Sequence, residues 1–215
     1  MMNDPVAVRA VSSLPPDGVR LCVEFSNGTA LTLYAFQLDE APLHPGDEVD
    51  GERLEQLQEA SRVAEALSKG LGALDRQDYS VEGLVRKLRQ KGFTRPQAEE
   101  AARILESRRF LDDERFAQQA VRHYGERRGF GEARVRNEMY RLGLQREDID
   151  RALEGFEADE EALQAFLEKR LRGKTEPAAV RRAVAAALRR GFTYEQIKNA
   201  LGRIKEGIYE EEFTD

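Results

Sequence analysis

Tryptophan is absent from this 215-residue chain, cysteine occurs once and histidine twice, and each shortage removes a class of chemistry. One cysteine, Cys22, forms no internal disulfide, and in LCVEF it alternates with apolar neighbours as a small core residue of a strand would. His44 and His123 lie far apart with no further ligand at metal spacing, which argues against a zinc site. No run of about eighteen apolar residues occurs, and the start MMNDPVAVRA has neither a basic nor an apolar signal region. A cytoplasmic protein without a membrane span is therefore expected. A P-loop, an HExxH pair and a nucleophile with a base nearby in sequence are missing too. Neither enzymatic activity nor a cofactor or metal is expected.

What the chain does have is 40% hydrophobic and 34% charged residues, enough for one long core or two to three small ones. The net charge of −6 hides a strong segregation. Residues 1–60 carry 3 basic and 11 acidic side chains, and the end EGIYEEEFTD carries 5 acids and no base. Residues 61–205 hold 31 basic against 24 acidic side chains. A basic middle suits a polyanion or an acidic protein surface, although such charges also serve as the solvated faces of helices.

The first 49 residues read as a small β-subdomain. VAVRAV, GVRLCVEF and TALTLYAF are short alternating runs separated by PPDG and SNG, and Asn27-Gly28 is a strong hairpin signal. About three antiparallel strands are expected, packed on the helices that follow because so small a sheet seldom stands alone. A helix should begin near Asp50.

From there the pattern is helical and repetitive. LVRKLRQKGFTRPQAEEAARIL, VRNEMYRLGLQREDIDRALEGF and VAAALRRGFTYEQIKNALGRI align on Gly92, Gly143 and Gly191, spaced by 51 and 48 residues. Each glycine is followed by an apolar residue, and apolar residues stand four and eight places before it and six and ten after it. Those offsets put one apolar face on a helix at each side of a tight break, with the glycine in the left-handed position that ends a helix. A third amphipathic segment precedes each pair, at 54–76, 112–126 and 159–173. The fold class expected is mainly α, an elongated tandem of three-helix repeats behind the small antiparallel sheet. Repeat one spans 50–110, repeat two 111–157 and repeat three 158–207, and 208–215 is an acidic tail, read first as a solvated end and alternatively as a segment that competes with a polyanion for the basic surface.

In FLDDERFAQQAV, Asp112 or Asp113 caps a helix whose first turn holds Glu114. Three consecutive acids on a helix point in different directions, so the cap is favoured over a metal site. Gly129-Phe130-Gly131 lacks the third glycine and preceding strand of a nucleotide loop and reads as a turn.

FLDDERFAQQAV followed by RRGFGEARVRNEMYRLGL resembles the central repeat of the RecX family, bacterial regulators of the RecA recombinase. The likeness lies in the aromatic-Leu-Asp-Asp start, the following Phe116-Ala117, the Arg-Gly-aromatic-Gly turn and the arginine-rich helix ending in Leu-Gly-apolar. YSVEGLVRKLRQKGF is similar to the family's first repeat, VAAALRRGFTYEQIKNAL keeps the corner of the third, and the N-terminal strands look like an extension found on many members. The resemblance implies tandem three-helix repeats that bind RecA, usually as its filament on single-stranded DNA, and restrain its recombinase, ATPase and coprotease activities. A monomer with at most weak direct DNA binding is expected.

The arginines fit that expectation. Between 120 and 146 there are seven against three glutamates. Most fall off the apolar stripe of Val135 and Met139, and their planar forks suit carboxylate or phosphate. The candidate partner or nucleic-acid contacts are Arg86, Lys87, Arg89 and Lys91 in repeat one, and Arg122, Arg127, Arg128, Arg134, Arg136 and Arg141 in repeat two; Arg181, Arg182, Arg189 and Arg190 continue the feature. Gly92, Gly143, Gly191, Asp112, Asp113 and Phe116 are assigned structural roles. A helix-turn-helix DNA reader shares the outline, but its reading helix should carry few acids, and in the first two repeats Glu99, Glu100, Asp148, Asp150 and Glu154 would face phosphates, leaving only the third, with Gln196, Lys198 and Asn199, suited to reading. A helical scaffold without a nucleic-acid role is the third class.

Overall fold

The computed structural model describes residues 5–15 and 18–212, with side chains described to residue 205. Pro16 and Asp17 of the PPDG turn and residues 213–215 of the acidic end lie outside the described residues. The chain forms two compact units, Met1–Leu111 and Asp112–Asp215.

The first unit begins with strands β1 (Val6–Leu14), β2 (Arg20–Phe25) and β3 (Ala30–Tyr34). Gly28 turns the β2–β3 hairpin at φ 85°, a conformation that costs glycine little, and the Asn27 side chain accepts from the Thr29 N–H at 3.0 Å. A fourth strand, β4 (Glu48–Val49), was not expected, because two residues are too few to display alternation. It pairs antiparallel with Val6 and Ala7, so the order is β3-β2-β1-β4. Val8, Val23, Phe25, Leu31 and Leu33 form the inner face and are closed over by Leu54 and Leu57 of α1 (Gly51–Leu74). Cys22 departs from its expected place. Strand alternation puts it on the opposite face from Val23 and Phe25, and it is half-buried rather than core.

The N-terminal half of α1 covers the sheet, and its C-terminal half packs with α2 (Val81–Gln90) and α3 (Arg95–Ser107). Each start is capped as the sequence dictates. Asp50 accepts from the Arg53 N–H at 2.7 Å, Ser80 from Gly83 at 3.0 Å, and Thr94 forms a capping box with Gln97. Small residues bring α1 and α3 close: a Cβ added at Gly70 would lie 3.0 Å from Leu105, and Ala66, Ala98, Ala101 and Ala102 are completely buried. Around that seam Leu84, Leu88 and Leu105 are buried, each stabilising by about 1.5–3 kcal/mol relative to exposure.

The second unit holds α4 (Asp113–Val121), α5 (Glu132–Leu142) and α6 (Arg146–Ala152), then α7 (Glu160–Leu171), α8 (Pro177–Arg189) and α9 (Tyr194–Glu212). Each triplet surrounds its own core, Val135, Met139 and Ile149 in one and Leu163, Leu167 and Ile197 in the other. Two segments differ from expectation. The amphipathic stretch expected over 112–126 leaves α-helical geometry at Val121 and continues as a π-helical turn over Arg122–Arg127. The wider turn brings the backbone at Gly125 under the Phe156 ring, where a Cβ would lie 2.5 Å from Cε2. The segment from 208, expected as a separate tail, continues the backbone of α9 to Glu212.

Candidate functional site

All three aligned glycines have left-handed backbone angles: φ is 94° at Gly92, 95° at Gly143 and 90° at Gly191. The same hydrogen bond closes each corner. The N–H after the glycine donates to a carbonyl five residues back, Phe93 to Leu88, Leu144 to Met139 and Phe192 to Ala187, at 3.2–3.4 Å. The donor residues are buried, so every corner is pinned by one apolar side chain as well as one bond. Asp112 caps α4 by accepting from the Arg115 N–H at 2.8 Å, Asp113 lies in the first turn, and Phe116 packs against the core of repeat two.

The basic residues fall into two groups. Lys87, Arg89, Lys91, Arg122 and Arg127 have no ion pair or side-chain hydrogen bond among the described residues, and Arg86 reaches back to the Glu82 carbonyl at 3.4 Å. The arginines of α5, placed outward and unengaged by their spacing, are instead tied down locally. Arg134 pairs with Glu138 at 2.6 Å, Arg141 with the same carboxylate at 3.3 Å, and Arg136 with Glu132 at 3.1 Å and with Asp150 across the corner. The cause is register: acids at i±4, i−3 and on the next helix fall within reach of each guanidinium. Asp150 is held below the usual aspartate range, chiefly by the hydrogen bond from Arg136 and secondarily by Arg146, and the same bond raises the Arg136 pKa. Arg128 is exposed, but its guanidinium lies 4.8 Å from the centre of the Phe130 ring.

That ring belongs to a junction the sequence does not reveal. The Gly131 N–H donates to the Arg190 carbonyl at 2.9 Å, and the Arg190 guanidinium donates to the Arg128 carbonyl at 2.7 Å. Arg190 also lies 5.4 Å from the Phe130 ring centre and 4.5 Å from that of Phe166. Its Nε is buried without a partner, and burial, with Arg128 adding, pulls its pKa down. Arg190, grouped by sequence with the basic surface, thus joins repeat two to repeat three. Lys169, Arg170, Arg172 and Lys174, outside the candidates the sequence suggests, line a cavity with Arg182 where α7 meets α8. Their signal was a basic run, KRLRGK, not aligned with the glycine corners.

Among the described residues no group of three or more His, Cys, Asp or Glu side chains is placed to hold a metal ion, and no helix is long and apolar enough to cross a membrane. The glycine corners and basic surfaces define a protein of tandem three-helix repeats. Comparison with known proteins makes the class specific. Residues 112–153 match the family model "RecX, second three-helix domain", and 157–201 match "RecX, third three-helix domain". The chain is 34% identical to the regulatory protein RecX of Stenotrophomonas maltophilia over 137 residues, 62% of this chain and 83% of that protein. It is 27% identical over 184 residues to the regulatory protein RecX of Geobacillus thermodenitrificans, covering 82% of this chain and 68% of that one. A crystal structure of a regulatory protein RecX shares its fold with a TM-score of 0.74 at 21% identity, over 90% of this chain and 99% of that chain. The RecX of Lactobacillus salivarius gives 0.60 at 16% identity, over 68% and 98%. The chain belongs to the RecX family of regulatory proteins.

Proposed function

We propose that this protein regulates a RecA-type recombinase by binding its filament on single-stranded DNA and restraining its recombinase, ATPase and coprotease activities. Membership of the RecX family supports the regulatory role. The observation that supports contact by each unit is the set of cations left unpaired within its repeats, Lys87, Arg89 and Lys91 on and after α2 in the first and Arg122 and Arg127 after α4 in the second. Unpaired cations attract a polyanionic assembly, whereas those already bound to carboxylates must first give up a partner. The helix-turn-helix alternative is disfavoured by α3 and α6, which would present Glu99, Glu100, Asp148 and Asp150 to phosphates.

The test is a pair of variants against a filament of RecA on single-stranded DNA, with affinity and ATPase inhibition measured together. Replacing Lys87, Arg89, Lys91, Arg122 and Arg127 by alanine should weaken both by about tenfold or more at moderate salt, as expected for several lost phosphate or carboxylate contacts. Replacing Arg134 and Arg136 should have a smaller effect. Unchanged affinity in a folded five-site variant removes these cations from the mechanism.

A further inference from the structure

We propose that the turn between α7 and α8 in repeat three is a phosphate-binding site that takes the backbone of a single nucleic-acid strand. The site is a cavity of about 350 Å³ lined by Lys169, Arg170, Arg172, Lys174 and Arg182. The two remaining lining residues are apolar and no acid is among them.

Three elements contribute: the last turns of α7, the connecting turn, and α8. Lys169 and Arg170 lie where cations complement a helix C-terminus, and that alone accounts for those two. It does not account for Lys174 in the turn or Arg182 on α8. None of the five side chains has an ion pair or hydrogen bond among the described residues. On α5 and α6, by contrast, Arg134, Arg136, Arg141, Arg146 and Arg151 all have carboxylate partners. Five cations gathered around one cavity repel each other unless an anion enters, so the folded chain lowers its own electrostatic energy by binding one.

Arg172 adds a second observation. It occupies the cap of α7 at φ 49°, a left-handed conformation that disfavours side chains, while glycine stands one place later. The conformation puts a guanidinium on the cavity where glycine would leave none. A guanidinium donates two parallel hydrogen bonds to phosphate oxygens, and three arginines with two lysines match a chain of phosphodiesters better than one carboxylate. A concave site admits a flexible strand more readily than the stiff backbone of a duplex. The lining has no aromatic ring on which a base could stack, so binding is sequence-independent.

The test uses the full-length protein, no recombinase, and a fluorescein-labelled oligothymidylate followed by anisotropy over a range of salt. It therefore stands or falls separately from the regulatory reading above. Substituting Arg170→Gln, Arg172→Gln, Lys174→Gln and Arg182→Gln together should weaken binding at low salt by about tenfold and flatten the log–log salt dependence by about 3, each of the four lost phosphate contacts contributing about 0.7. Arg134→Gln with Arg141→Gln, which removes cations already paired, should change affinity by less than about twofold. Arg172→Gly relieves the left-handed strain, so it folds at least as well as the parent, and it should alone flatten the slope by about 0.7. An unchanged slope in both cavity variants, an equal loss in the Arg134/Arg141 variant, or displacement of the strand by oligoglutamate of equal charge would each overturn the site.

Discussion

Gly131→Ala should damage the second unit more than its chemistry suggests. Gly131 has φ −70° and ψ 161°, angles any residue adopts, so alanine carries no conformational penalty there. The obstacle is contact. An added Cβ would lie 2.5 Å from the Phe192 nitrogen and closer still to the Gly191 carbonyl, and all these atoms are backbone that no rotamer change can move. The reciprocal position is equally tight: a Cβ at Gly191 would meet the Arg134 Cβ at 2.5 Å and the Gly131 oxygen at 2.7 Å. Accommodating one methyl requires the two repeats to separate locally by about 1 Å, since ordinary carbon contacts lie near 3.5 Å. Overpacking of this kind costs about 1–3 kcal/mol, and separation strains the Gly131–Arg190 and Arg190–Arg128 hydrogen bonds, each contributing about 1 kcal/mol. A loss of about 3 kcal/mol follows. The comparator is Gly92→Ala, where nothing lies within 4 Å of the added carbon and only the positive φ is penalised, by about 1–2 kcal/mol. Urea denaturation followed by circular dichroism, with hydrogen exchange resolving residues 112–205, measures both. A Gly131→Ala protein no less stable than Gly92→Ala would refute the tight crossing.

Three further outcomes are expected. Gly143→Val places a β-branched residue at φ 95° and should cost about 2 kcal/mol or more, with lost helicity; a melting temperature equal to that of wild type would contradict the corner assignment. Arg190→Ala removes a hydrogen bond to Arg128 and contacts with two aromatic rings and should destabilise the second unit by about 1–2 kcal/mol, detectable as a shifted urea midpoint. Asp150→Asn tests the pair with Arg136. Because the folded carboxylate titrates below its ordinary range, its contribution is present above that range and is lost as pH falls through the folded pKa. The stability difference between wild type and Asp150→Asn should therefore be constant near neutrality and vanish in acid, and it should be small because the pair is exposed.

The features legible in the sequence were those fixed by a few neighbouring residues. A glycine with an apolar residue after it and apolar residues four and eight places before it specifies a corner without distant help, and the three corners have nearly the same φ. Thr94 with Gln97 and Thr193 with Gln196 form local capping pairs that are equally plain. The features that were not legible depend on residues far away in the chain. β4 is two residues long and exists because β1 offers an edge to pair with. The π-helical turn exists because Phe156, thirty-one residues on, packs over Gly125. Cys22 illustrates the strand version of the difficulty, since a shift of one residue in phase exchanges the two faces of a sheet.

Charge presents the same division in a form that bears directly on function. Counting arginines locates basic helices, but the availability of an arginine depends on whether an acid comes within about 4 Å after folding. On α5 that acid is four residues away for Arg134 and fourteen for Arg136, beyond a corner whose angle only the structure supplies. Arg190 meets Arg128 across sixty-two residues and has become part of the packing. The four cations of KRLRGK, where no acid interrupts, and Arg182 on α8 stay unengaged around the α7–α8 cavity. The arginines of α5 are thus neutralised, whereas Arg122 and Arg127 before that helix and the shorter basic run have charge to spare. A polyanion approaching the second unit should be drawn to Arg122, Arg127 and the α7–α8 turn before α5, because displacing a carboxylate from α5 costs an ion pair while entering the cavity relieves repulsion.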